Sequence, residues 1–220
     1  MRINKLTLTN FRSYNSLELE LEPGVITFIG DNGSGKTNIA ESLIYLAFLS
    51  SHRVANNVPL ISLGNQQAII RAEVQREDRT LQIDLEINAS KANRARINGN
   101  PTRSQRELLG AIQIVYFSPE DLDLVRGEPG NRRDFLDRLL ITRTPRLAAV
   151  ITDYERVVKQ RNALLKTRTS VAALVPWNEQ LIKLGAELTA ERIALIDALN
   201  PWVAKNYANL NEVKPASISY

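Results

Sequence analysis

Apolar and polar residues alternate with a period of two over much of the first hundred positions of this 220-residue chain, and recur at helical spacing over much of the rest. Residues 2–8 place Ile3, Leu6 and Leu8 among polar neighbours, and residues 16–22 alternate strictly as Ser-Leu-Glu-Leu-Glu-Leu-Glu. Both predict strands, the second with one wet face, because successive side chains of a strand point to opposite sides. Asn10-Phe11-Arg12-Ser13-Tyr14 interrupts the first pattern, and Pro23-Gly24 predicts a turn after the second. Residues 67–76 alternate through Ala68, Ile70, Ala72 and Val74, and residues 80–87 through Leu81, Ile83, Leu85 and Ile87. With Glu77-Asp78 between them they predict a hairpin. Residues 94–97 predict a further short strand, closed by the tight-turn pair Asn98-Gly99.

Val25-Ile26-Thr27-Phe28-Ile29 is β-branched and aromatic and predicts a buried strand. A helix follows to about Ser50, with Ile39, Leu43, Leu46, Ala47 and Leu49 at helical spacing; residues 50–64 read as a loop. Residues 104–109 predict a short helix, and residues 111–117 an apolar strand. Ser118-Pro119-Glu120-Asp121 then reads as the capped first turn of a helix, with acids at its positive end. Composition changes at Gly127-Glu-Pro-Gly130, and from there only helix is expected. One helix covers 131–142 with Asn131 as cap, a second runs from Thr144-Pro145 to Lys166, and 167–173 is a break. A third starts at Val175-Pro176 and runs to near Leu199, where Asn200-Pro201 kinks or restarts it. Tyr154, Trp177 and Trp202 fall at core-like helical positions, and residues 214–220 turn strand-like again. The expected division is 1–126 as a β-rich lobe, 127–210 as a helical lobe and 211–220 as the start of a return.

Gly30-Asp31-Asn32-Gly33-Ser34-Gly35-Lys36-Thr37 reads G-x-x-x-x-G-K-T between the expected strand and helix. That context makes the pattern a phosphate site. Glycines let successive backbone N–H groups turn inward, and the helix start adds its free N–H groups and positive dipole end. Lys36 reaches the β- and γ-phosphates, and Thr37 offers a hydroxyl to Mg²⁺. Asn38 has two readings, a metal or water contact or a cap. Glu41, on the same helix, reads as a hydrogen-bonding partner rather than a catalytic base.

Composition narrows the chemistry. There is no cysteine, hence no disulfide, thiolate metal site or cysteine nucleophile. The one histidine, His52, reads as an ordinary surface or core residue and leaves little room for zinc or Ser-His chemistry. No long uncharged apolar run suggests a membrane span, and a cytoplasmic location is expected. Net charge is only +4, but residues 131–168 carry ten basic against four acidic side chains. Arg132, Arg133, Arg156, Lys159 and Arg161 in that segment, with Arg53 outside it, are candidates for DNA phosphate contacts. Such contacts would be salt-sensitive and show little sequence preference. For Arg132 and Arg133, at a helix start that opposes positive charge, the partner is DNA, the nucleotide or an opposite head; neutralisation by Asp134 and Asp137 is the bland alternative.

Asn10-Phe11-Arg12-Ser13-Tyr14, followed by the phosphate loop with Asn38 and Glu41, resembles the front of SMC-like ATPases. Phe117-Ser118-Pro119-Glu120-Asp121-Leu122, Gly127, Arg132-Arg133-Asp134-Phe135-Leu136-Asp137, and Tyr154 with 159–166 resemble the RecF family of bacterial recombination mediators. The resemblance covers almost the whole chain. It implies an α/β phosphate-loop NTPase of ABC/SMC-head type, with a β-rich ATP-binding lobe and an all-helical second lobe. It implies ATP and Mg²⁺ as cofactors, with ATP bound between two heads and driving a homodimer. That dimer would bind single-stranded or gapped DNA and work with RecO and RecR to load recombinase at gaps, supporting replication and the SOS response. It places Arg12 near the nucleotide phosphates and Ser118–Asp121 about where the lobes join. The family's signature motif and second nucleotide motif lie later than this sequence, which therefore reads as the front of a longer protein. No catalytic residue is assigned, and weak, dimerisation-dependent hydrolysis is expected of the full-length protein but not of this piece alone. Two other functions compete: a DNA-binding module whose phosphate loop is structural only, and a transporter ATPase subunit.

Overall fold

Hydrogen bonding between alternating segments builds one six-stranded antiparallel sheet, in the order β2-β1-β3-β4-β5-β6. The computed structural model describes all residues except 52, 55, 168–169 and 211–215, and the side chain of Glu120. The readings of His52 as an ordinary residue, of the start of the last strand-like stretch and of part of the break at 167–173 therefore lie outside the described residues. The strands are β1 (Arg2–Phe11), β2 (Tyr14–Glu20), β3 (Gln67–Arg76), β4 (Arg79–Asn88), β5 (Arg94–Ile97) and β6 (Asn100–Pro101). The chain forms two compact units, Met1–Phe117 and Ser118–Tyr220.

In the first unit the period of two becomes a face. Leu6 and Leu8 of β1, Ala68, Ile70, Ala72 and Val74 of β3, and Ile83, Leu85 and Ile87 of β4 are all buried. Their register partners sit side by side, Leu8 against Ile70 and Ile70 against Leu85. Helix α1 (Lys36–Phe48) closes this core with Ile39, Tyr45, Leu46 and Ala47. The opposite face pairs charges across strands, with Lys5–Glu18 at 2.5 Å and Arg71–Asp84 at 3.2 Å. Its alternation of signs makes it a solvated sheet surface.

Two expected strands do not form. Val25–Ile29 and residues 113–117 carry no strand ladder among the described residues. Val25 is 97% exposed, and Val115 and Phe117 are also exposed. A strand is completed by a neighbour's N–H and C=O groups, and neither run has one here. Residues 216–220 likewise belong to no helix or sheet.

The second unit is helical: α2 (Asp123–Arg126), α3 (Pro129–Arg143), α4 (Leu147–Lys166) and α5 (Val171–Ala208). Leu136, Leu140, Leu147, Ile151, Leu188, Leu195 and Ile196 form its core, with Tyr154, Leu199 and Ile218 packed against it. Helix α3 starts before the expected cap Asn131, because Pro129 at its first turn supplies a helical φ and has no N–H to satisfy. Helix α5 absorbs the expected start at Val175-Pro176 and runs through both Pro176 and Pro201. Trp202 is 62% exposed, not packed in the core; it lies under Lys205, 5.8 Å from the ring centre. The units divide at 117/118 rather than at the compositional break near Gly127. The reason is local: Arg132 of α3 donates to the carbonyls of Leu124 and Gly127, tying α2 to the helical side. Asp121 accepts from the Ser118 backbone N–H at 2.6 Å, so the turn at Pro119–Leu122 is capped backward from its acid, the reciprocal half of a capping box.

Candidate functional site

Gly35 is the position on which the glycine loop turns into α1. It sits at φ +99°, in the left-handed region, and a Cβ there would lie 2.7 Å from Ser13 Oγ and 2.8 Å from Tyr14 Oη. Only glycine fits both demands. The β1–β2 turn thus presses directly on the loop. Ser34 N–H donates to Asp31 O at 3.2 Å and Asn38 N–H to Gly35 O at 2.8 Å, closing the loop onto the first turn of α1.

Lys36 is the first residue of α1. Its ammonium folds over the loop, donating to Gly30 O at 2.6 Å, Asp31 O at 2.7 Å and Ser34 Oγ at 3.5 Å. Thr37, the next residue, is exposed. The amides at this helix start have no intrahelical acceptor, so N–H groups, the positive dipole end, an ammonium and a hydroxyl converge on one spot. That donor set fits a polyphosphate, and Thr37 fits the hydroxyl ligand of a phosphate-bound Mg²⁺. Asp31, Asn32, Gly33 and Ser34 line the same exposed loop. Among the described residues no group of three His, Asp or Glu is placed to hold a metal by itself.

Behind the loop lies a charge network. Glu41 is fully buried on α1. It accepts from Arg12 Nε at 2.9 Å and Nη2 at 2.6 Å, from Ser51 Oγ at 2.5 Å, and from Arg53 Nη1 at 3.2 Å. Burial alone would push the carboxyl up. The Arg12 and Ser51 hydrogen bonds, with the charges of Arg12 and Arg53, outweigh it and hold Glu41 below the ordinary carboxylate value. Glu41 is therefore a hydrogen-bonding hub, as its position suggests. Arg12 also donates to Pro59 O at 2.9 Å, which ties it to the 58–60 turn as well as to Glu41. Asn38 takes Arg53 Nη1 on its carbonyl at 3.0 Å and gives its amide to Ser13 Oγ at 3.0 Å. Arg53, a DNA candidate by charge, thus stands beside the phosphate loop. Only the distance in sequence between 12, 41 and 53 hid this grouping.

The other DNA candidates divide. Arg132 is engaged with the Leu124 and Gly127 carbonyls, Arg156 with Asp153 at 3.1 Å, and Arg161 with Asn178 at 2.7 Å. Arg133 and Lys159 are exposed on α3 and α4.

A β-rich unit carrying a glycine loop at the start of one helix, followed along the chain by a helical unit, is the make-up of a phosphate-loop ATPase head. The chain matches the AAA ATPase domain family over residues 1–162 and belongs to it. Within that class its relatives are RecF proteins. It is 47% identical over 220 residues to the DNA replication and repair protein RecF of Streptomyces avermitilis, covering 96% of this chain and 59% of that protein. It is 48% identical over 204 residues to RecF of Kineococcus radiotolerans, covering 89% and 52%. Among solved structures it resembles the recombination mediator protein RecF-ATP, at 25% identity and TM-score 0.83, covering 96% of this chain and 58% of that one. The RecF-ATPrS structure, at 24% identity and TM-score 0.90, shares the fold. So does an SMC ATPase structure with 22% identity and TM-score 0.51 over 62% of this chain. The resemblance to the front part of RecF is thus met, and the chain spans between 52% and 59% of the length of these curated relatives.

Proposed function

We propose that this chain is the nucleotide-binding part of a RecF-type DNA repair and recombination protein. The observation that carries the reading is the Lys36 ammonium folded over the Gly30 and Asp31 carbonyls at the start of α1. Gly30 to Gly35 wrap the phosphates with backbone N–H groups, Lys36 neutralises the β- and γ-oxygens, and Thr37 holds Mg²⁺. Bound ATP supplies the charge and contacts that favour a closed homodimer over the open monomer. The dimer holds DNA through phosphate contacts, with exposed Arg133 and Lys159 as the first candidates. With RecO and RecR it loads recombinase at single-stranded gaps, in the cytoplasm, and so supports replication and the SOS response. The full-length protein is a weak, dimerisation-dependent ATPase, and this chain alone does not turn ATP over at the rate of an intact one.

Lys36→Ala tests the reading. ATP affinity is expected to fall at least tenfold, since a hydrogen bond to a charged group contributes ~1.5–3 kcal/mol. DNA binding by the intact protein is expected to require ATP, to be lost with Lys36→Ala, and to weaken steeply with salt. DNA binding indifferent to both ATP and Lys36 would reduce the phosphate loop to a structural role.

A further inference from the structure

Helix α5 passes through its weakest point at Asn200-Pro201. Pro201 has no N–H to give the Asp197 carbonyl one turn back, and its ring disfavours a helical backbone at Asn200. Asparagine is itself a poor helix former, because its amide competes for backbone groups. Burial does not compensate. Leu195 and Ile196 are the last buried core residues of α5, with Leu199 packed beside that core. From Pro201 to Ala208 every residue but half-buried Val203 is exposed. The turns beyond Pro201 therefore lack a hydrogen bond at their root and have almost no buried face, yet the helix runs on to Ala208.

The segment 216–220 meets α5 at that point. The Asn200 side chain bonds the Ile218 peptide in both directions, Nδ2 to Ile218 O at 2.9 Å and Ile218 N–H to Oδ1 at 2.9 Å. Ile218 packs against the helical core, and the Tyr220 hydroxyl accepts from Arg192 Nη1 at 3.1 Å. An amide bonded to the Ile218 peptide no longer competes for the backbone of its own helix. We propose that the segment 216–220 is a splint for α5: through Asn200, its docking and the helicity beyond Pro201 form one two-state element. With the segment docked, Asn200 is held in helical conformation and residues 201–208 continue from it. With the segment released, the Asn200 amide turns on nearby backbone, α5 stops before Pro201, and Trp202 and Lys205 leave the helix with its last turns.

Amide hydrogen exchange followed by NMR on the full chain tests this, because each rate follows a local opening equilibrium. For Asn200→Ala the expected outcome is opposite in sign to helix propensity. Alanine is the better helix former, so propensity alone would slow exchange in 202–208. The splint requires instead that the amides of 202–208 and of Ile218 exchange faster together, by about tenfold, the scale of the two hydrogen bonds lost, while 181–196 is unchanged. Pro201→Ala restores the missing N–H, and in that background Asn200→Ala is expected to speed exchange at Ile218 only. Ile218→Ala leaves Asn200 and Pro201 in place and removes the apolar anchor of the segment. It is expected to loosen 202–208 as well, and it carries the test if Asn200→Ala unsettles the whole helical unit. Exchange in 202–208 that is slowed or unchanged by Asn200→Ala, or unchanged by Ile218→Ala, overturns the proposal. So does fraying of 202–208 that persists in full in the Pro201→Ala background.

Discussion

Removing the Asp137 carboxylate is expected to cost the helical unit more than any change on its surface. Asp137 of α3 accepts from Arg192 of α5 in a two-pronged pair, Nε to Oδ1 at 2.8 Å and Nη2 to Oδ2 at 2.7 Å. The two side chains are 13% and 8% exposed. Burial works against the Arg192 charge, but the Asp137 bonds, the Tyr220 hydroxyl at 3.1 Å and the Asp137 charge outweigh it and raise its pKa further. Arginine cannot shed its proton, so Asp137→Ala leaves a buried cation whose main counter-charge is gone. Breaking a buried pair from one side costs about 3–5 kcal/mol, whereas replacing both partners by apolar residues of similar size is often neutral. Asp137→Leu with Arg192→Met is therefore expected to recover most of the loss. Urea unfolding read by tryptophan fluorescence measures this unit alone, because both tryptophans of the chain, Trp177 and Trp202, lie in it. The midpoint falls with an unchanged slope if stability alone is altered. A loss below about 1 kcal/mol for Asp137→Ala, or a double variant as unstable as the single one, would refute the argument that desolvated charge dominates here.

Gly35→Ala is expected to destabilise the β-rich unit by about 2–4 kcal/mol, from left-handed backbone strain plus collision with Tyr14 and Ser13. In a background carrying both Ser13→Ala and Tyr14→Ala the steric part is relieved and only the backbone part persists, which thermal unfolding followed by circular dichroism can separate. Glu155 titrates above the ordinary carboxylate value, first because of partial burial and then because Asp134 and Asp137 face it from α3. A raised acid favours the protonated form in the folded state, so the helical unit is expected to gain stability as pH falls through that raised value. Glu155→Gln is expected to raise the fluorescence-detected midpoint at neutral pH and to make no difference at pH low enough to protonate Glu155 in both states. A midpoint lowered by Glu155→Gln at neutral pH would contradict this.

Period-two patterning carried the sheet because each of its strands solves the same local problem, one face dry and one wet. The β3–β4 hairpin follows that pattern from Gln67 to Asn88. The same pattern misled at Val25–Ile29 and 113–117, since β-branched residues favour an extended backbone but do not supply a neighbour to bond with. Helix α5 shows the opposite error. Pro176 reads as a helix start, yet only one intrahelical N–H is lost there, and the helix begins at Val171 behind it. Trp202 follows the buried stripe of Leu188, Leu195 and Leu199, but the helices that cover those residues do not cover it.

The candidate site divides along the same line between local and distant. The turn from Gly30 to Gly35 and the helix start at Lys36 were legible because they depend on contiguous residues alone. Charge density along the chain was a poorer guide. It joined Arg53 to the arginines of α3 and α4 as one class, while the structure gives each a separate task. Arg132 satisfies two carbonyls at the end of α2, Arg161 bonds Asn178 across two helices, and Arg53 answers to Glu41. A guanidinium with five donors is drawn to whatever unsatisfied oxygen the fold leaves near it. A basic segment therefore counts as a nucleic-acid footprint only after these internal debts are subtracted. In α3 and α4 that subtraction moves Arg133 and Lys159 ahead of Arg132, Arg156 and Arg161 as DNA candidates. Near the phosphate loop it leaves Arg53 bonded to Glu41 and Asn38, apart from the basic segment of α3 and α4.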